Sequence, residues 1–171
     1  MTIRSSKNCI LFDWGDTLMR VFPEYQGAMA DWPQVAAVAH AGEVLAKLHT
    51  QCRLAVATNA KDSDEAEIWA ALQRVNLAEH LDQVYCLRRI GYAKPFAQFF
   101  AFILDDLQIP ASQVLMVGDE LEKDILGANL AGLRAVWLNE HDNQEHNTDW
   151  IRTIHDLSEL PDALKPWQFI G

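Results

Sequence analysis

At 171 residues, half of them apolar, the chain has the size and composition of one ordinary domain that can bury a core without disulfides. Its 14 basic and 24 acidic residues leave a formal charge of −10, which offers no general attraction to nucleic acid or anionic membranes. Cys9, Cys52 and Cys86 are odd in number and form no metal-ligand pairs, so they read as buried reduced thiols. Met1 to Lys7 lack the apolar stretch of a signal peptide, and no segment reaches the about 18 apolar residues of a membrane span. The expectation is a cytoplasmic protein without nucleic-acid or membrane partners.

In chain order, the continuous apolar run Cys9 to Phe12 predicts a strand buried on both faces, and Asp13 sits where it runs out. Met19 to Pro33 is irregular, broken by Pro23, Gly27 and Pro33. Its Phe22, Tyr25, Met29 and Trp32 read as a cover for the sheet edge, or as a lid or oligomer contact. A helix is predicted from about Gln34 to His49, with Val35, Val38, Leu45 and Leu48 on one face. Leu54 to Ala57 form a second strand ending at Thr58-Asn59. Asp62-Ser63-Asp64-Glu65 reads as a capping box, opening a helix that carries Ile68, Trp69, Leu72 and Val75.

Gln83 to Leu87 make a third strand, and Gly91 to Pro95 a loop into a helix striped by Phe99, Phe100, Ile103, Leu104 and Leu107. Val114 to Val117 are a fourth strand ending at Gly118-Asp119, followed by a helix through about Ala131 that Gly132 stops. Arg134 to Leu138 are a fifth strand. A polar loop, Asn139 to Thr148, leads to an edge strand near Trp150 to Ile154 and a last helix near Asp156 to Leu164. The histidines of this region, His141, His146 and His155, are too irregularly placed for a metal site.

This alternation predicts a three-layer, doubly wound, Rossmann-like parallel sheet with helices on both faces, as a single α/β domain over residues 1–171. In such a sheet the carboxyl ends of the strands share one edge, where ligands bind. That edge would gather Asp13, Thr58 and Asp119, with Lys94 in reach from the loop after the third strand. Carboxylates can hold Mg²⁺, which prefers oxygen ligands. A lysine and a hydroxyl suit a phosphoryl group, and a carboxylate can act as a nucleophile.

Asp, Thr, Lys and Asp in this order resemble the haloacid dehalogenase-like hydrolase superfamily, mostly Mg²⁺-dependent phosphatases. The stretch Phe12-Asp13-Trp14-Gly15-Asp16-Thr17-Leu18 resembles the first motif, Ala57-Thr58-Asn59 the second and Lys94-Pro95 the third. Val117-Gly118-Asp119, with Asp124 five residues on, resembles the fourth. The resemblance implies that Asp13 is nucleophile and metal ligand, and that Thr58, with Asn59 beside it, binds the phosphoryl oxygens. It further implies that Lys94 neutralises charge on nucleophile and phosphate, that Asp119 and Asp124 serve the Mg²⁺, and that Thr17 braces the loop. The carbonyl of Gly15 would be a further metal ligand.

The departure lies inside the first motif. Most phosphatases of the superfamily carry an acid–base aspartate two residues after the nucleophile, followed by glycine; here Gly15 comes first and Asp16 second. Three readings follow: Asp16 takes the acid–base role, helped by the flexibility of Gly15; or hydrolysis is slow, or of a phosphonatase or dehalogenase kind; or the site binds a metal and a phosphorylated partner without turnover. A receiver domain also uses Asp, Thr, Lys and Mg²⁺ but in another order, with its lysine late. Only the short 19–33 loop stands where relatives carry a cap domain. An open site of that kind suits a large or extended phosphorylated substrate, or a small one enclosed by a neighbouring subunit of a homo-oligomer.

Overall fold

The computed structural model describes residues 7–171; Met1 to Ser6, most of the segment read for a signal peptide, lie outside the described residues. Six strands form one sheet: β1 Cys9–Phe12, β2 Arg53–Thr58, β3 Gln83–Cys86, β4 Val114–Gly118, β5 Arg134–Leu138 and β6 Ile151–Ile154. Their order is β3-β2-β1-β4-β5-β6, and every pairing is parallel. The helices are α1 Ala41–Leu48, α2 Glu65–Arg74, α3 Leu87–Ile90, α4 Ala97–Leu107, α5 Gly127–Leu130 and α6 Leu160–Leu164.

The central strands are apolar throughout because both faces are covered. Ile10 and Phe12 of β1, with Leu54 and Val56 of β2, pack in one core with α1, α2 and α6. Cys9 and Leu11, with Ala55 and Ala57, face a second core built by α4 and α5. This is the doubly wound architecture expected from the sequence. Chain direction across the sheet reverses between β1 and β4, so their carboxyl ends flank a switch-point crevice. All three cysteines are buried and free, and burial pushes the Cys9 thiol up to about 12. No helix among the described residues is long and apolar enough to cross a membrane.

Several boundaries move. The first helix starts at Ala41 rather than near Gln34, because the preceding segment pairs with the loop after β1. Arg20 N–H donates to Ala36 O at 2.8 Å and Val38 N–H to Leu18 O at 2.9 Å, so this backbone is extended. Val38 is still buried. The capping box lies two residues later than expected. Glu67 N–H donates to Asp64 Oδ1 at 2.8 Å and Asp64 N–H to Glu67 Oε2 at 2.7 Å, leaving Asp62 exposed. The helix after β4 opens as a π-helical turn, Leu121–Leu126. The last helix is preceded by a 3-10 turn, Leu157–Glu159, capped by Asp156.

The loop after β1 is fastened to its surroundings. Arg74 of α2 donates to Ala30 O and Trp32 O at 3.0 and 2.7 Å. Phe22, Tyr25 and Trp32 pack edge-on or tilted, with ring centroids 5.7–6.4 Å apart. Arg20 forms a two-pronged ion pair with Glu140 at 2.8 and 2.9 Å.

The capping geometry predicts that Asp64→Ala costs about 1 kcal/mol in urea unfolding. Asp62→Ala should leave the unfolding midpoint unchanged; the reverse ranking would place the cap at Asp62.

Candidate active site

Asp13 is the first residue after β1, and its N–H donates to Val117 O at 2.9 Å, so it is fixed beside the end of β4. Lys94 arrives from the loop between α3 and α4 and is fully buried by its side chain's surroundings, at 2 % exposure. Its ammonium donates to Asp13 Oδ1 at 2.9 Å, Asp124 Oδ1 at 2.7 Å and Ala57 O at 2.7 Å. All three hydrogens are thereby committed within the protein. Burial alone would lower the Lys94 pKa, but the two carboxylates outweigh it and the group is held above its ordinary value.

Asp119, the first residue after β4, completes the cluster. Asp13, Asp119 and Asp124 each offer a carboxylate oxygen, all within 4.8 Å of one another. Burial, reinforced by the Asp13 carboxylate, pushes Asp119 up to about 8. Burial raises Asp124 as well, against the opposing pull of Lys94. Three crowded carboxylates face one ammonium, so the cluster carries surplus negative charge in a partly dry place. The donor set is all oxygen and anionic, which fits a hard divalent cation.

Supporting contacts fix this geometry. Thr17 Oγ1 donates to Asp119 Oδ1 at 3.2 Å. Glu120 N–H donates to Asp124 Oδ2 at 3.1 Å, inside the turn that becomes π-helical. Asn59 is bound to the Lys94 backbone at both ends of its amide: Nδ2 donates to Lys94 O at 2.9 Å, and Lys94 N–H donates to Oδ1 at 2.8 Å. The Asn59 side chain thus holds the Lys94 loop. Thr58 Oγ1 accepts from Ala60 N–H at 3.1 Å, which leaves its own hydrogen to donate.

Asp13, Gly15, Asp16, Thr58, Asn59 and Asp119 line one cavity of about 330 Å³ at the carboxyl edge of the sheet. Lys94 and Asp124 are not part of its lining; Lys94 joins Asp124 to Asp13 behind it. Asp16 adopts a left-handed backbone, φ 57°, and its Oδ1 accepts from Val21 N–H at 3.1 Å. One oxygen of that carboxylate therefore holds the start of the loop after β1.

Three residues to which the sequence reading gave no role shape the site. A Cβ at Gly118 would overlap the Asp124 carboxylate, so only glycine lets that carboxylate lie against the end of β4. A Cβ at Gly127 would stand 2.7 Å from Pro95 Cβ, so glycine there admits the Lys94–Pro95 loop against α5. Trp137 of β5 donates Nε1–H to Asp119 O at 2.9 Å. Gly118 stands in the fourth motif and Gly127 shortly after it, but their steric duty depends on how Asp124 and Pro95 fold against them. Nothing local marks Trp137.

A parallel α/β sheet with an acidic cluster and a buried lysine at its switch point has the layout of an α/β protein whose ligand binds at the carboxyl ends of the strands. Residues 3–138 match the haloacid dehalogenase-like hydrolase family, and the chain belongs to it. It is 36% identical over 94 residues to pyrimidine 5'-nucleotidase YjjG of Escherichia coli, covering 52% of this chain and 42% of that protein. With ribulose-1,5-bisphosphate 5-phosphatase of Halopiger xanaduensis it shares 33% over 141 residues, 77% of this chain and 58% of that one. The chain thus spans about half the length of these relatives. A crystal structure of a protein from Listeria monocytogenes superposes with a TM-score of 0.81 at 28% identity, covering 95% of this chain and 99% of the other.

Two outcomes follow from the carboxylate crowding. Between about 4 and about 8 the folded protein holds a proton on Asp119 that the unfolded chain has released, so this group's contribution to stability falls as pH rises through that window. A divalent cation competes with that proton, so the rise in Tm on adding cation should be larger at pH 9 than at pH 6, and Asp119→Asn should flatten the difference. Gly118→Ala displaces the Asp124 carboxylate and should weaken cation affinity by roughly 10–100-fold in calorimetry while the far-UV spectrum stays native.

Proposed function

We propose that the protein is a Mg²⁺-dependent phosphohydrolase working through an aspartyl-phosphate on Asp13. The observation that carries this reading is the buried Lys94 ammonium bridging Asp13 and Asp124, with Asp119 in the same cluster. The names of the two relatives, one a 5'-nucleotidase and one a phosphatase, support the same class of reaction. Mg²⁺ would be held by Asp13, Asp119 and Asp124, with the Gly15 carbonyl beside them, and would supply charge to draw the phosphoryl oxygens onto the carboxylates.

A carboxylate oxygen of Asp13 attacks phosphorus, and the bond from phosphorus to the ester oxygen breaks with its electron pair on that oxygen. Lys94 neutralises Asp13 and Asp124 while the phosphoryl group approaches, and holds the Asp13 carboxylate from below. Thr58 donates its free hydroxyl hydrogen to a phosphoryl oxygen. A water then attacks the aspartyl-phosphate, the bond between phosphorus and Asp13 breaks, and inorganic phosphate leaves with Asp13 restored. Asp16 lines the same cavity and is the residue assigned to pass a proton to the leaving oxygen and take one from the water.

Asp13→Asn should abolish Mg²⁺-dependent release of phosphate from a panel of phosphomonoesters. Asp16→Ala should lower kcat by roughly 10²–10⁴-fold if it moves the proton. Full activity in that variant would leave Asp16 only its contact with Val21. No turnover in the unaltered protein, with Mg²⁺ bound in calorimetry, would favour a binding protein for a phosphorylated partner.

A further inference from the structure

The Asp16 carboxylate is held by one oxygen only. Its Oδ1 accepts from Val21 N–H at 3.1 Å, while its Oδ2 makes no hydrogen bond among the described residues. The direction of the free oxygen therefore depends on where the Val21 N–H points. Val21 has little hold of its own: it is 41 % exposed, and the backbone pairing of this segment ends one residue earlier, where Arg20 N–H donates to Ala36 O at 2.8 Å.

The chain is gripped at that point by the Arg20 side chain. Its guanidinium donates to both oxygens of Glu140, at 2.8 and 2.9 Å. The Glu140 hydrogen bond holds Arg20 above its ordinary range against partial burial, and the nearby Asp16 carboxylate adds to the effect. Glu140 is a firm anchor because Asn139, the residue before it, is buried and fully engaged. Asn139 N–H donates to Ile154 O at 2.9 Å, its Nδ2 to Asp142 Oδ1 at 2.7 Å and Gln144 O at 3.0 Å, and its Oδ1 accepts from His141 N–H at 3.2 Å. The Val21 N–H is thus set from two sides, by the 36–38 backbone and by the loop after β5.

We infer that Arg20 and Glu140 are positioning residues for proton transfer: their ion pair sets the Val21 N–H and, through it, aims the Asp16 carboxylate at the ester oxygen. The inference rests on the phosphohydrolase reading with Asp16 as the proton carrier. As the bond from phosphorus to the ester oxygen breaks with its electron pair on that oxygen, Asp16 gives it a proton and is left as carboxylate. The water that attacks the aspartyl-phosphate returns a proton to Asp16. A partly exposed ion pair adds little to stability, yet a two-pronged guanidinium–carboxylate contact fixes direction. Its loss therefore falls on the proton step rather than on folding.

Benzyl phosphate and 4-nitrophenyl phosphate test it, because the first releases a basic alkoxide that needs a proton and the second a phenolate that leaves without one. With MgCl₂ present, the ratio of kcat/KM for 4-nitrophenyl phosphate to that for benzyl phosphate should rise about tenfold in Glu140→Ala. The same ratio should rise roughly 10²-fold or more in Asp16→Ala. Glu140→Gln keeps one acceptor for the guanidinium and should lie between Glu140→Ala and the unaltered protein. The Tm of Glu140→Ala should shift by less than about 4 °C, while hydrogen exchange at the Val21 amide speeds up about tenfold. An unchanged ratio in Glu140→Ala would overturn the positioning role and leave the phosphohydrolase reading standing. Absence of turnover of both esters in the unaltered protein would overturn the phosphohydrolase reading and the inference with it.

Discussion

The Lys94 ammonium holds the carboxyl edge of the sheet together. It is buried, and an isolated charge in such a place would cost several kcal/mol. The cost is met by Asp13 from the end of β1, Ala57 O from β2 and Asp124 from the π-helical turn. Each of these groups is in turn oriented because Lys94 stands between them. Removing any one partner leaves a buried charge or carbonyl unsatisfied, so the ends of two strands, one loop and one turn are energetically a single unit. Asn59 and Gly127 belong to the same unit, the first by binding the Lys94 backbone and the second by letting Pro95 approach.

This unit is not neutral. Lys94 answers two carboxylates, while Asp119, held by Thr17 and by Trp137, adds a third from the side open to the cavity. The imbalance sits where solvent and ligands can reach it, which is what distinguishes this cluster from an ordinary structural ion pair. The raised pKa of Asp119 expresses the same fact: the fold holds an acid where its charged form is poorly solvated. A site with this excess of anionic oxygen gains most from a small divalent cation and, through it, from a phosphoryl group.

The loop after β1 links that chemistry to the outside. Asp16 turns the chain through a left-handed residue and binds Val21 N–H; Val21 then covers Gly15; Arg20 is tied to Glu140 beyond β5. The reversed order of glycine and aspartate in the first motif is therefore a structural arrangement as well as a chemical question. Gly15 provides room for the Val21 methyl, and Asp16 provides the acceptor that keeps Val21 there.

Apolar runs and their spacing were enough to read the six parallel strands and most of the helices, because a strand covered on both faces has no choice but to be apolar throughout. The meeting of Asp13, Thr58 and Asp119, with Lys94 in reach, was likewise readable, since a parallel sheet must bring its carboxyl ends to one edge; Asp124 was added only by the resemblance of its motif. What the sequence left open depended on atoms far apart in the chain. The start of α1 was displaced by backbone pairing between residues 18–20 and 36–38. The capping box was decided by which of Asp62 and Asp64 met the helix axis. Asn59, though it lines the cavity, commits its amide to the Lys94 backbone, and Gly118 was needed only because Asp124 folds back over it. Residue types and their order determined the architecture and the composition of the cluster. Tertiary packing alone decided which polar atoms remain free, because a hydrogen bond between distant residues leaves no local mark in the sequence.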